Sequence, residues 1–405
     1  MSRCNLFFSK PALITACGNN SDSLWNRIIS ADNSAIKLIS TKYGTKSFYS
    51  AVIEDNLSFR FDSTIADTHI IRIVDYALNE LKNSIQQAVN KYGNNRIGIC
   101  IGGCDNSSEL SIAAHEKYLL SGSFPDDYNL SNQSAYFIAE HIKKVFGITG
   151  PSTAMATACS SSGSAIIKAA QLICSGLADA MIVGGADIVS DLELLGFDSI
   201  ECISSSPTNP FSQNRSGITL GEAAVFFVLS KDKLFSDEPS IMLAGYGETA
   251  DAVHITSPDV NASGAVRAMQ QAIEYAGIKP EQVGYINLHG TGTQLNDAME
   301  ATAVNKVFGT EVPCSATKSI TGHTLGASSA LSTAICYETI VRNAGKTDLC
   351  LPAQAWDRIY DKNIPPIRII SRENSCIADK SLNYCMSNSF GFGGINVSLL
   401  IKKGD

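Results

Sequence analysis

The sequence predicts an α/β protein made of two similar halves. Three observations carry that reading. Short apolar runs ending in glycine or small residues alternate with helical stretches along the 405 residues. Several of these runs are apolar throughout rather than alternating, as strands covered on both faces are. A strand-then-glycine-loop pattern also occurs twice, at residues 97–103 (IGICIGG) and 283–290 (VGYINLHG). Each copy is followed further on by a small-residue loop and an apolar helix.

The strand candidates are residues 97–102, 180–184, 223–229, 241–246, 283–288, 385–386 with their neighbours, and 395–401. Helical candidates lie between them, at residues 70–92, 134–146, 162–176, 264–276, 297–308 and 327–343. Strands alternating with helices predict largely parallel pairing. The seam falls near residues 235–245, giving halves 1–235 and 236–405. Lys231, Asp232 and Lys233 with residues 236–240 form a polar candidate linker.

Hydrophobic residues make up 44% of the chain, ample for a sizeable core. Charged residues are only 17%, below the usual quarter, which points to surface buried in an oligomer. A net charge of −8 offers no nucleic-acid footprint. The N-terminal stretch, with Arg3 and an apolar run broken by Ser9, Lys10 and Pro11, is a poor signal peptide. No run approaches a membrane span. The 12 cysteines form no CxxC pair and are expected to be free thiols in a reducing cytoplasm.

Cys159 stands out among them. It lies in residues 157–165 (TACSSSGSA), directly before an apolar helical stretch. A thiol at a helix N-terminus meets backbone N–H groups and a dipole that favour the thiolate, and a thiolate is a nucleophile suited to acyl transfer. An inert buried cysteine is the competing account. Of the six histidines, two share similar settings. His289 follows a predicted strand in residues 288–293 (LHGTGT), and His323 precedes a predicted helix in residues 318–326 (KSITGHTLG). Loops at strand ends are where such folds place chemistry. Residues 388–396 (NSFGFGGIN) form a further glycine-rich loop. It is not a dinucleotide fingerprint, because its flanking elements come in the wrong order. Its phenylalanines could gate an apolar pocket, and its backbone could offer an N–H to an oxyanion.

Together the TACSSSGSA, HGTGT, KSITGHTLGA and NSFGFGG segments resemble the β-ketoacyl-acyl carrier protein synthase family of the elongating Cys-His-His type, in order and across residues 97–401. The resemblance implies a thiolase-like fold, a duplicated five-layered α-β-α-β-α sandwich, usually dimeric. It implies that Cys159 takes an acyl chain from a carrier protein, with its own N–H and that of Phe392 as oxyanion hole. His289 and His323 would then stabilise the enolate formed when malonyl-carrier protein loses CO₂, with no metal or organic cofactor. Lys318 would be the active-site lysine, paired with Glu300. Thr291 and Thr293 would hold the phosphopantetheine arm. Phe390, Phe392 and Gly393 would border the substrate, and Ile101 would line the far end of the acyl pocket or simply pack in the core. His254 would position an entrance loop, and His69, His115 and His141 would be structural.

Two departures bear on partners. Ser332 stands where many relatives carry a cation-binding glutamate. Residues 67–72 (DTHIIR) hold one arginine where relatives often carry a basic cluster for the acidic carrier. The pathway stays open between fatty acids and polyketides or polyenes, and the dimer between identical and similar subunits. Two other readings stand beside this one. One is a non-catalytic, chain-length-determining partner. The other is a thiolase, for which Cys385 would have to be the second cysteine.

Overall fold

The computed structural model describes residues 4–54, 57–105, 107–235, 240–378 and 382–404. Arg3 and most of the candidate linker at 236–240 lie outside these. Twelve strands form one hydrogen-bonded sheet. They are β1 (Phe7–Phe8), β2 (Ala12–Thr15), β3 (Ile97–Gly102), β4 (Ser152–Met155), β5 (Ala180–Asp187), β6 (Ala223–Ser230), β7 (Ile241–Ala250), β8 (Val283–Asn287), β9 (Pro313–Ser315), β10 (Arg368–Ile369), β11 (Tyr384–Gly391) and β12 (Ile395–Lys403). The helices that matter here are α1 (His69–Tyr92), α2 (Phe137–Phe146), α3 (Ser161–Cys174), α4 (Asp191–Ser199), α5 (Ser263–Ala276), α6 (Gln294–Phe308) and α7 (Ser328–Asn343).

The duplication is visible in the pairing. One half runs β4-β3-β5-β6-β2 and the other β9-β8-β11-β12-β7, with parallel and antiparallel neighbours in the same places. β1 sits antiparallel between β6 and β7 and joins the halves. The central helices α3 and α7 are buried together between the halves in one core. α1 covers the outer face of the first half and α5 and α6 that of the second, each over a core of its own. Helix, sheet, helix pair, sheet and helix make five layers, the thiolase-like sandwich.

The expectation of largely parallel strands needs correction, because each half ends in antiparallel strands. Only three residues separate β11 from β12, and so short a link cannot reach a parallel neighbour. Gly393 and Gly394 make that turn with φ of +87° and +80°, a region open to glycine at little cost. The expectation of free cysteines is also corrected at one place. Cys4 and Cys174 are joined in a disulfide, their Cα atoms 5.8 Å apart across 170 residues of sequence. The segment before β1 lies against the end of α3, a proximity that sequence spacing does not reveal. The remaining described cysteines are free.

The nucleophile loop rests on a close approach between α3 and β3. A Cβ placed on Gly102 would stand 2.2 Å from the Ser162 backbone nitrogen. Gly102→Ala is therefore expected to destabilise the fold by about 3 kcal/mol or more, at the top of the range for overpacked sites. Gly196→Ala, in α4 with nothing within 4 Å of the new methyl, should be neutral or stabilising by up to about 1 kcal/mol. Urea unfolding midpoints of the two variants check the contrast.

Candidate active site

Cys159 sits in a single 3₁₀ turn, Ala158–Ser160, between β4 and α3. Ala158 holds φ at +52°, a conformation costing a residue with a side chain about 1–3 kcal/mol. The equivalent turn before α7, Leu325–Ala327, repeats the feature, with Leu325 at φ +45°. A strained turn in both halves, with the reactive side chain in one alone, is how a duplicated fold places a single nucleophile. Ser160 and Ser161 hydroxyls bond back to the Thr157 and Ala158 carbonyls and fix the loop.

The structure brings together the three residues singled out by type. The ligating atoms of Cys159, His289 and His323 all lie within 4.8 Å of one another, and all three residues are buried. The imidazole rings meet edge to face, with centroids 5.4 Å apart. Phe390 packs on His289 at 5.7 Å. His323 Nδ1 accepts the Leu325 N–H at 3.2 Å, and Lys318 Nζ lies 3.4 Å from His289 Nδ1. With Nδ1 taken as an acceptor on each ring, the proton is assigned to Nε2 on both. Burial, the Lys318 ammonium and His323 hold His289 well below the ordinary imidazole range. Burial and then Lys318 do the same to His323. Both rings are thus neutral N–H donors.

Lys318 and Glu300 do not meet in the expected direct ion pair. Lys318 Nζ donates to the His289 carbonyl at 2.6 Å, whereas Glu300 accepts the N–H groups of His289 and Gly290 at 2.8 and 2.7 Å. They hold the same backbone, Lys318 at its carbonyl and Glu300 at its N–H groups, and attract at longer range. Burial pushes the Glu300 carboxyl up and the Lys318 ammonium down, and each is partly restored by the other. Asp297, one turn before Glu300 on α6, extends the clamp by accepting the Thr291 and Gly292 N–H groups at 3.1 and 3.2 Å. Sequence reasoning passed over Asp297. Its i,i+3 spacing from Glu300 on one helix face was the available signal.

The thiol departs from expectation. Burial raises Cys159 to about 11, against the Lys318 charge and the N–H groups of Cys159 and Phe392, which favour the anion. Desolvation outweighs the helix end, so the resting group is a thiol. Alkylation of Cys159 by iodoacetamide should therefore accelerate about tenfold per pH unit through pH 9 without levelling, since the thiolate fraction keeps rising below the thiol's pKa. Lys318→Met should slow it by removing the favourable charge. A plateau below pH 8 would show a resting thiolate instead.

Two cavities meet at Cys159. One of about 330 Å³ is lined by His289, His323, Thr291, Thr293, Phe390, Phe392 and Gly393, among others. The second, of about 310 Å³, lies against Ala158, Leu325 and Glu193. Cys159, Phe197 and Phe392 border both, the two rings 5.9 Å apart. Ile101 reaches neither. It is buried in the core under α1 and borders only a small void beside α2, so core packing accounts for it. His254 caps its own loop by accepting the Thr256 and Ser257 N–H groups, and the Ile255 carbonyl in that loop accepts the Gly393 N–H at 2.7 Å. His141 and His69 bond buried carboxylates, Asp75 and Glu222. Cys385 lies in β11, its free thiol hydrogen-bonded to Cys336 and away from both cavities.

A buried cysteine facing two fixed N–H donors, where two cavities meet, defines the site of an acyl-transferring condensing enzyme. The comparisons agree. Residues 12–234 match the "Beta-ketoacyl synthase, N-terminal domain" family and residues 241–344 the "Beta-ketoacyl synthase, C-terminal domain", and the chain belongs to the β-ketoacyl synthase family. The 3-oxoacyl-[acyl-carrier-protein] synthase 2 of Coxiella burnetii is 30% identical over 421 residues, covering 96% of each chain. That of Vibrio cholerae is 27% identical over 435 residues, covering 100% of both. Among solved structures, the ketosynthase ApeO in complex with its chain length factor ApeC from Xenorhabdus doucetiae superposes with a TM-score of 0.90 at 33% identity, over 100% of both chains. Among the described residues, no helix is long and apolar enough to cross a membrane.

Proposed function

We propose that the chain is a catalytically competent β-ketoacyl-acyl carrier protein synthase, acting in the cytoplasm on carrier-bound acyl and malonyl groups. The observation that carries this is the convergence of Cys159 with two neutral histidines that share one tautomer. In the first step the Cys159 sulfur attacks the acyl thioester. The departing pantetheine sulfur leaves as a thiol with the proton that Cys159 gives up, and the N–H groups of Cys159 and Phe392 face the transient oxyanion. Malonyl-carrier protein then binds, with Thr291 and Thr293 along its arm. The bond to the carboxyl breaks, CO₂ leaves, and the electron pair passes to the thioester oxygen, where His289 and His323 donate. The enolate carbon attacks the acyl carbonyl, the Cys159 thiolate departs and takes up one proton from solvent, and a β-ketoacyl chain two carbons longer remains on the carrier. The chemistry calls for no metal or organic cofactor.

Pairing with a similar subunit is the favoured assembly, because ApeO is a ketosynthase in complex with a chain length factor. On this reading the present chain is the active member, and residues 1–235 and 236–405 are its two halves. Carrier docking draws little on the start of α1, since Arg72 there is paired with Asp67 at 2.7 Å. A thiolase is disfavoured by the position of Cys385. The test is intact-protein and peptide mass spectrometry after incubation with acyl-carrier protein. One acyl adduct on the Cys159 peptide supports the proposal. No adduct with any acyl-carrier protein would favour a chain-length-determining role.

A further inference from the structure

The cavity behind Phe392 contains one feature that an alkyl chain has no use for. Its wall is apolar or small, formed by Gly103, Cys104, Ala156, Ala158, Phe197, Leu325 and Phe392 around Cys159, with a single carboxyl group, that of Glu193. Glu193 is the third residue of α4. Its N–H donates to the hydroxyl of the N-cap Ser190, and the Ser190 N–H acts on its carboxyl in return. That reciprocal cap explains why a glutamate can stand here. It engages part of the carboxyl only, for Glu193 Oε2 is enclosed and has no hydrogen-bond partner.

Its neighbours do not supply one. Asp187 accepts the N–H groups of Cys104 and Asp105, and Asp105 accepts the N–H of Ser108 at 2.9 Å and its hydroxyl. Both are acidic, and they discourage a charge on Glu193. Burial, followed by Asp105, lifts Glu193 to about 8, so at neutral pH it is mostly an uncharged acid that both donates and accepts. A saturated chain filling the cavity would exclude water and strand that carboxyl. A chain bearing an oxygen would give it a partner.

We infer that Glu193 is a specificity-determining residue for the acyl chain, and that the cavity behind Phe392 selects chains carrying a hydroxyl or keto oxygen over saturated alkyl chains. The inference rests on the ketosynthase reading above and names the substrate class of that site.

The test is loading of Cys159 from pantetheine thioesters of one chain length, one saturated and the others with a single hydroxyl or keto group at successive carbons. Adduct formation is timed by mass spectrometry. Wild type should load at least one oxygenated chain about tenfold or more faster than the saturated one, because a site built to bond an oxygen rejects the analogue lacking it. Glu193→Leu should abolish that preference, and Glu193→Gln, whose amide also donates and accepts, should largely keep it. Gly196→Ala, on the same helix with open space at its Cβ, should leave the ratio unchanged. Equal or faster loading of the saturated chain by wild type at every position overturns the inference, even if Glu193→Leu does not fold. So does an unchanged ratio in a folded Glu193→Leu protein. If Cys159 is acylated without discrimination, this inference alone falls. If it is acylated by nothing, the ketosynthase reading falls and takes it along.

Discussion

Cys159→Ala should form no acyl adduct and should lose condensation by at least about 10⁴-fold, the scale seen when a covalent nucleophile is removed. The variant should fold normally. Cys159 is 6% exposed and borders two cavities rather than filling a tight packing site, so trimming one sulfur opens little new void. Ala158 with its positive φ and the serine hydroxyl bonds that fix the loop stay in place. The sharper expectation concerns malonyl-carrier protein. In the proposed mechanism decarboxylation draws on His289 and His323, which are held by Lys318, Glu300 and the Leu325 N–H, none of which needs the thiol. Release of CO₂ should thus survive in Cys159→Ala, uncoupled from chain extension. Measuring CO₂ and β-ketoacyl product side by side checks this. Loss of both to the same degree would mean that the thiol takes part in decarboxylation, and the division of labour drawn here would be wrong.

The parts of this fold that are legible in the sequence are those with internal repetition of a physical signal. β3 is a six-residue apolar run ending in glycine and was located to the residue. β6, β8 and β12, buried apolar runs, were placed to within two residues at their ends. The two-residue β1 and the three-residue β9 are too short to show any period, and the half-exposed β4 (STAM) lacks an apolar pattern, so all three escape notice. α4, with a glycine inside nine residues, is equally quiet, although Ser190 and Glu193 carry the capping signature that announces it. At the site, Cys159, His289 and His323 are legible as chemically unusual residues in small-residue loops. What holds them is less so. Asp297, Phe197 and Glu193 carry no chemical signal of their own in the sequence, and they acquire meaning only when folding places Asp297 on the Thr291 and Gly292 N–H groups and Phe197 and Glu193 against a cavity beside Cys159. The pairing of Lys318 with Glu300 illustrates the same limit. The two attract at longer range, yet the bonds go to backbone, because a buried carboxylate facing two unpaired N–H groups is satisfied better by them than by one ammonium.

His323→Ala and His289→Ala should each lower malonyl decarboxylation by about 10²–10³-fold, the usual loss for one preorganised donor to a developing oxyanion. Both should leave acylation of Cys159 within about tenfold of wild type, because in the proposed mechanism the oxyanion of that step faces the N–H groups of Cys159 and Phe392. The two variants should nonetheless differ in one respect. The Lys318 ammonium lies against His289 Nδ1 and bonds the His289 carbonyl, and its charge favours the Cys159 thiolate. Removing the His289 ring leaves that carbonyl bond but frees the ammonium from the ring nitrogen, whereas removing His323 leaves Lys318 untouched. His289→Ala should therefore change the pH dependence of Cys159 alkylation, and His323→Ala should not. Decarboxylation rates together with alkylation profiles from pH 6 to 10 decide the matter. If His323→Ala blocked acylation as severely as decarboxylation, one imidazole would be serving both steps, and the thiol proton would pass through it rather than leave with the pantetheine sulfur.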